Sequence, residues 1–441
     1  MIISLLSRSA IALLALPLAL QSQSSDTLAA RAIPLRDAVS LAQQNALGAV
    51  QARGQIRTAE SSVRAARAAL LPSLSLSLGQ VNQSGDRLDS QGRLVPYLAP
   101  QPWTYSTGLS STLNLFDGGR RLNEIKRTRS DVGAAEANEV NQRFNIALQV
   151  KTQYYAILAA RESEAAGRAQ LDQAQQQLKS SIARTAAGVV TMSDSLRSVV
   201  AVGNARLALL TARNNVRVAS AALTRLVGSE TLVTATPSDT LDLALTPIDS
   251  GSLAALIADG PAVQQAEAQL TSARAAARSA KTPYLPTVDL TFNKSGNGYD
   301  RLYGFGNSPL AYTNNFNIRL AYPLWNNYQR EDALNRARVQ ADVAEATVRD
   351  ARLGAQQNFA QQLGALHTAQ ERIALQQVSV QAAQEDLRVQ QQRYALGAST
   401  LLDVLTSQST LDAARSALIQ ARQDFRIARA QLEALAGREL Q

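Results

Sequence analysis

The sequence predicts an internally duplicated membrane protein of mixed α/β class. Four β-strands per chain would join those of two further copies in a twelve-stranded trimeric barrel, and long helical hairpins would extend the same threefold axis as a periplasmic α-helical coiled-coil barrel. Three observations carry this expectation. The stretch 107–228 recurs at 316–437 without a gap: a shift of 209 (397 minus 188) lays Gly188 on Gly397, Thr191 on Thr400, Asp194 on Asp403, Arg217 on Arg426 and Gly228 on Gly437. Four segments alternate apolar and polar residues with the period of a strand. Each copy also holds a proline-free run that ends at a glycine and is followed by heptads.

In chain order, residues 1–30 read as a secretory signal peptide, with Arg8, an apolar run from Ala10 to Leu20 and a polar Gln/Ser end. That run is shorter than the roughly 20 residues of a spanning helix, although an uncleaved anchor is the competing reading. The first repeat occupies 31–228. From Leu35 to Leu70 apolar residues recur at helical spacing, and Pro72 stops them. The next residues, Ser73-Leu74-Ser75-Leu76-Ser77-Leu78, alternate strictly.

After a polar loop, Trp103, Tyr105, Thr107, Leu109, Leu113 and Leu115 share one face of a second strand, with Thr104, Ser106, Ser110, Thr112 and Asn114 on the other. The second repeat, 252–441, has its own pair. Val288, Leu290 and Phe292 alternate with Thr287, Asp289 and Thr291; Tyr312, Phe316, Ile318, Leu320 and Tyr322 alternate with Thr313, Asn315, Asn317 and Arg319. Trp103, Tyr105, Phe116, Tyr312, Tyr322 and Trp325 stand near strand ends, where a membrane barrel carries aromatic girdles against outer-membrane lipid. Half of a soluble sheet would show the same alternation.

Asp117-Gly118-Gly119 and Asn326-Asn327-Tyr328 tolerate the backbone of a sharp strand-to-helix switch. The helical runs that follow reach Gly188 and Gly397, on the order of 100 Å at 1.5 Å per residue. Beyond these glycines the seam Val202, Ala205, Leu209, Ala212, Val216, Ala219, Leu223, Leu226 repeats as Leu411, Ala414, Leu418, Ala421, Phe425, Ala428, Leu432, Leu435. Gly188 and Gly397 are therefore expected at the tips of two helical hairpins. Residues 229–251, with Pro237 and Pro247, read as a linker or collar between the repeats, and Ser252 to Lys281 as helix.

Composition narrows function by exclusion. The net charge of +9 comes from Arg and Lys interspersed with Asp and Glu along helices, a solvated face and no nucleic-acid footprint. There is no cysteine and a single histidine, His367, so thiolate chemistry is absent and no catalytic or metal-binding constellation, and no cofactor site, can be assembled. Four membrane-length strands in an open sheet would leave unpaired backbone groups in lipid, and three copies close the sheet around a lumen. The pieces make a hollow conduit.

The duplicated Leu-Pro junctions at Pro72 and Pro286, the strand exit Leu115-Phe116-Asp117-Gly118-Gly119, the run Arg393-Tyr394-Ala395-Leu396-Gly397 and the run Thr400-Leu401-Leu402-Asp403-Val404-Leu405 resemble the TolC-type outer-membrane efflux proteins over everything after the leader. The resemblance implies a homotrimer in the bacterial outer membrane that acts as passive exit duct. Its partners would be a periplasmic adaptor and an inner-membrane pump of resistance-nodulation-division or ABC type. Type I protein secretion uses the same duct, and a soluble coiled-coil envelope scaffold is the reading from another class. The adaptor would dock on the tips, Gly188, Val189 and Thr191 with Gly397, Ala398 and Thr400. Carried over by position, Asp403, Tyr394, Asp194 and Gln177 match a polar network that closes the periplasmic entrance; an expected arginine is Ser399 here and a second expected aspartate is Thr406. Both aspartates also fit Thr-x-x-Asp capping boxes, so gate and cap stand side by side.

Overall fold

The computed structural model of the chain describes residues 30–82, 86–96, 103–237, 250–299 and 311–440. The expected signal peptide up to residue 29 and the middle of the expected linker lie outside these. The first repeat runs through β1 (Arg31–Ile33), α1 (Leu35–Asn45), α2 (Leu47–Ala68), β2 (Ser73–Val81), β3 (Asp86–Leu88), β4 (Leu94–Pro96), β5 (Thr104–Phe116), α3 (Arg120–Ala186) and α4 (Met192–Val227). After β6 (Val233–Ala235), the second has α5 (Ser250–Ala258), α6 (Pro261–Ser279), β7 (Thr287–Tyr299), β8 (Ala311–Ala321), α7 (Gln329–Ala395) and α8 (Leu401–Ala436).

The four long strands form one antiparallel sheet in the order β2-β5-β7-β8, so the hairpin of each repeat joins the other through β5 and β7. Residues opposite one another in a ladder point to the same face. The register therefore collects Leu74, Leu76 and Leu78 with Leu109 and Leu113, then Leu290 and Phe292, then Ile318 and Phe316. Ser75, Ser110, Asn293 and Asn315 line the opposite face. The apolar face is bare: Leu76 is 71% exposed and Leu320 69%.

Strict alternation fails at one place. The ladder between β5 and β7 slips between Asn114 and Phe116, so Phe116 instead of Leu115 stands opposite Val288 on the apolar face. This β-bulge moves an aromatic, which period-two counting would put among the polar residues, to the rim of the Leu-rich face.

The strands β5 and β8 lead into their long helices through left-handed backbone at homologous positions, Gly118 (φ 65°) and Gly119 (φ 78°) in one repeat, Asn327 (φ 54°) and Tyr328 (φ 60°) in the other. At Gly118 a Cβ would approach the Leu285 Cβ to 2.6 Å, so glycine is needed there for room as well as for φ. Asp117, buried beside it, accepts from the Arg121 backbone N–H at 3.1 Å and from Arg121 Nε at 3.0 Å, holding the first turn of α3.

The helices α3 and α7 are each 67 residues long, dominated by strong helix formers. One partner cannot cover such a length. On the tip side α4 lies along α3, where Gly167 lets the Leu209 backbone approach; on the sheet side α2 takes its place, with Asn138 bonded to Gln55 at 2.9 Å. The helix α6 fills the groove between α3 and α7, its Gln265 accepting from Asn141 of α3 and its Glu267 accepting from Arg352 of α7, both at 2.6 Å. The heptad seam of α4 turns inward through Ala205, Leu209, Ala212 and Leu223, as does that of α8 through Leu411, Ala421, Phe425 and Leu432.

Three expectations need correction. The stretch from Leu35 to Leu70 is two helices, broken at Ala46 (ψ 140°), where the chain swings past the end of α4 and Asn45 packs on Gly228. Ser252 to Lys281 is likewise divided at Gly260, whose α-carbon faces the Leu435 carbonyl too closely for a side chain. The linker begins as a strand: β6 pairs in parallel with β1, and the Tyr154 hydroxyl clamps them by donating to the Ile33 carbonyl and accepting from the Thr236 N–H, both at 3.0 Å. Val233, Thr234 and Ala235 are buried there in the core around Val150, Ile157 and Leu223.

Candidate functional site

The two hairpin tips are built on one backbone plan. Gly188 (φ 72°) follows α3, with Gly188 N bonding the Thr185 carbonyl at 3.0 Å and Val189 N the Arg184 carbonyl at 2.9 Å. Gly397 (φ 77°) follows α7 with the same pair of bonds, to Tyr394 at 3.1 Å and from Ala398 to Arg393 at 2.8 Å. These are glycine-terminated Schellman turns, and a Cβ at either glycine would meet nothing within 4 Å, so the requirement is conformational. The tip residues are exposed, including Gly188, Val189, Thr191, Gly397, Ala398 and Thr400, and Leu396 beside them is 85% exposed.

The side chains depart from the backbone symmetry. Thr400 and Asp403 form a full capping box: Asp403 Oδ2 accepts from the Thr400 N–H at 2.9 Å and from its hydroxyl at 2.8 Å, and Thr400 Oγ1 accepts from the Asp403 N–H at 3.3 Å. Those two donors, the backbone N–H first, hold the Asp403 carboxyl below the ordinary carboxylate range. Thr191 and Asp194 form no such box. The first tip is tied by hydroxyls instead, Thr185 Oγ1 lying 2.7 Å from Ser195 Oγ. The half-buried Asp194 carboxylate has no hydrogen-bond partner among the described residues, and no bond joins it to Tyr394 or Gln177.

Tyr394 is buried with Leu387, Leu401 and Val404, and Val190 of the first tip packs on the same cluster. Among the described residues its hydroxyl has no hydrogen-bond partner. What engages it is Arg184, whose guanidinium sits 4.5 Å from the ring centroid and whose Nη1 donates to the Tyr394 carbonyl at 2.8 Å. The two hairpins of one chain are thus joined near their tips by a cation–π contact and a charge-assisted hydrogen bond. Sequence reasoning missed Arg184. The available signal was positional, since Arg184 and Arg393 stand four residues before the two tip glycines, yet Arg393 bonds only its own tip, at the Ala398 carbonyl.

Gln177 lines a crevice of about 250 Å³ between the hairpins together with Gln170, Gln391, Gln408 and Asp412, and its Nε2 is buried without a partner. Asp412 crosses the crevice, accepting from Gln170 Nε2 at 2.7 Å. Burial raises its carboxyl above the ordinary range, against the opposing pull of Gln408, Arg415 and Gln170. Farther from the tips the same pair of helices, α3 and α8, is joined by Lys151–Glu433 at 2.6 Å and by Glu162 with Arg422 and Arg426, both at 3.6 Å. The five aromatics Trp103, Phe116, Tyr312, Tyr322 and Trp325 are exposed at the sheet ends, whereas Tyr105 is fully buried.

The arrangement offers exposed tips, seams between the hairpins and a sheet with one polar and one bare apolar face. Comparison with known proteins agrees with that character. The chain is 27% identical over 392 residues to the pyoverdine export outer membrane protein OpmQ of Pseudomonas aeruginosa, covering 85% of this chain and 78% of that one. It is 26% identical over 395 residues to protein CyaE of Bordetella pertussis, covering 87% and 79%. The crystal structure of the outer membrane protein VceC from Vibrio cholerae superposes with a TM-score of 0.72 at 18% identity, over 92% of this chain and 97% of that chain. Residues 38–229 and 253–438 match the model of one family, and by that match the chain belongs to the outer membrane efflux proteins, TolC-like channels of the outer membrane that reach into the periplasm.

Proposed function

We propose that three copies of this chain close into a twelve-stranded barrel and a helical tunnel that together serve as the passive exit duct of a tripartite efflux pump. The carrying observation is the sheet itself, whose edge strands β2 and β8 each lack a second neighbour and whose Leu-rich face is bare. Unpaired backbone groups in lipid cost several kcal/mol each, and head-to-tail addition of further sheets, β8 of one chain to β2 of the next, removes that cost. Among the described residues no helix is long and apolar enough to cross a membrane. The flanks of the helical hairpins support the same closure: Leu196, Val200, Leu207 and Leu210 are exposed on α4, and Val339, Val343, Leu375 and Val378 on α7, stripes at helical spacing for which the chain itself has no cover.

The exposed tips are the docking surface for a periplasmic adaptor, which couples the duct to an inner-membrane transporter. Closure of the entrance belongs to the same region, through the Arg184–Tyr394 contact and the Gln177 crevice within one chain, with the half-buried Asp194 carboxylate available to neighbouring chains. Mass measurement in detergent is the test of assembly. Three chains per particle with ion conduction across planar bilayers is the expected result; a stable water-soluble monomer would remove the basis for the barrel.

A further inference from the structure

The helix ends nearest the sheet carry more positive charge than the fold uses. Along the segments that flank the strands, the carboxylates are held by arginines: Asp117 by Arg121 at 3.0 Å, Glu124 by Arg127 at 2.5 Å, Glu331 by Arg330 at 3.9 Å and Asp332 by Arg336 at 2.7 Å. Glu60, one turn farther from the sheet than Arg64, stands outside this scheme. Arg64, Arg67, Lys126, Arg129, Arg278 and Lys281 are all exposed, and among the described residues none of their side chains has a carboxylate or hydrogen-bond partner.

Their placement is ordered. On α3, Lys126 and Arg129 follow Leu122 by four and seven positions, so the three share one face of the helix, and Leu122 is 60% exposed at the end nearer the strands. The other two segments show the same order, with Arg64 and Arg67 before the exposed Leu71, and Arg278 and Lys281 before the exposed Leu285. In every case the leucine lies toward the sheet and the cations lie one to two turns beyond it. A surface that offers hydrocarbon at one level and anions about 5 to 8 Å farther out is the edge of a bilayer. Long basic side chains reach that level easily by keeping their stems on apolar surface.

We propose that these six cations form a belt that binds the phosphate groups of phospholipids in the leaflet facing the periplasm and so sets the depth of the sheet in the membrane. This rests on the reading of the sheet as a barrel wall, and the belt accounts for charges that barrel closure and tip docking do not need.

The test is lipid retention. Trimers reconstituted in vesicles of mixed phosphatidylglycerol and phosphatidylcholine are extracted in mild detergent, and the lipids that remain bound are counted by native mass spectrometry. Phosphatidylglycerol should be enriched over its share in the vesicle, with the enrichment weakening as salt rises. The triple variant Arg64→Gln, Lys126→Gln, Lys281→Gln should lose most of it, while Arg64→Lys with Arg278→Lys keeps it. Parent trimers that retain both lipids in the vesicle ratio would overturn the belt. So would a triple variant that keeps its phosphatidylglycerol but changes ion selectivity, because the cations would then face the lumen, and so would one that falls into monomers, because they would lie between protomers. Failure of the parent chain to enter vesicles at all would instead strike the barrel reading.

Discussion

Arg184 holds Tyr394 by its ring and by its carbonyl, and the tyrosine hydroxyl takes no part. The two groups that matter at this position, ring and carbonyl, are therefore not the hydroxyl that a polar network carried over by resemblance would use. Arg184→Ala should remove about 0.5–2 kcal/mol of cation–π attraction and raise resting conductance in planar bilayers, whereas Tyr394→Phe should leave conductance at the parent level. A rise in Tyr394→Phe equal to that in Arg184→Ala would return the gate to the hydroxyl. For Asp403 the capping geometry sets the expectation. Asp403→Ala should lower the melting temperature and Asp403→Asn, which still accepts the Thr400 N–H, should restore much of it without changing conductance. Because the folded-state pKa is depressed, the carboxylate's contribution is present above the ordinary carboxylate value of about 3.9 and is lost as pH falls through the folded value. Asp412 has the opposite sign. Its folded-state pKa is raised, so its contribution is full below the unfolded value and declines as pH rises through the folded one, and Asp412→Asn should flatten that part of the stability profile.

At the scale of elements, the sheet faces are set by alternation and checked by register. Phe316→Arg, at the middle of β8 on the bare apolar face, should cost about 2–4 kcal/mol near a bilayer midplane, while Asn317→Arg on the polar face should assemble normally; equal tolerance, read as trimer yield, would show the faces to be misassigned. Most of these strands were legible because their Ser-Leu and Asn-apolar alternation is strict. The bulge at Leu115 was not, since a bulge is a property of two paired strands and period-two counting sees only one. The strand exits were legible for a different reason. Gly118 and Asn327 are residue types that tolerate left-handed backbone, so the type itself reports the geometry. Tyr328 does not advertise it; its ring stacks edge-on to Trp325 at 4.8 Å, and packing of that kind offsets the strain.

The whole molecule is two copies of one unit, joined along α3 and α8 by paired charges and across β5 and β7 by a ladder. The duplicated tips project together, glycine-turned and exposed. Gly397→Trp should leave trimers intact and abolish cross-linking to the adaptor and pump-dependent export; normal cross-linking in that variant would reject end-on docking. The proposed closure by three chains is a whole-molecule property, because in that reading the two edges of the four-stranded sheet are satisfied by copies of each other.

The sequence by itself determined the repeat, the two long helical hairpins with their tips and the alternation of the strands, because each of these rests on local periodicity or on residue types with a fixed backbone preference; the family was legible through the resemblance of the junction and tip motifs. Tertiary structure decided the rest. It broke the first helix at Ala46, where the chain must pass the end of α4, and turned the head of the linker into β6 by pairing it with β1. It gave the second tip a capping box and left the first without one, although both carry Thr-x-x-Asp. It also chose Arg184 for the contact between tips, since which of two arginines at equivalent positions reaches across depends on the aromatic ring that only one neighbouring hairpin presents.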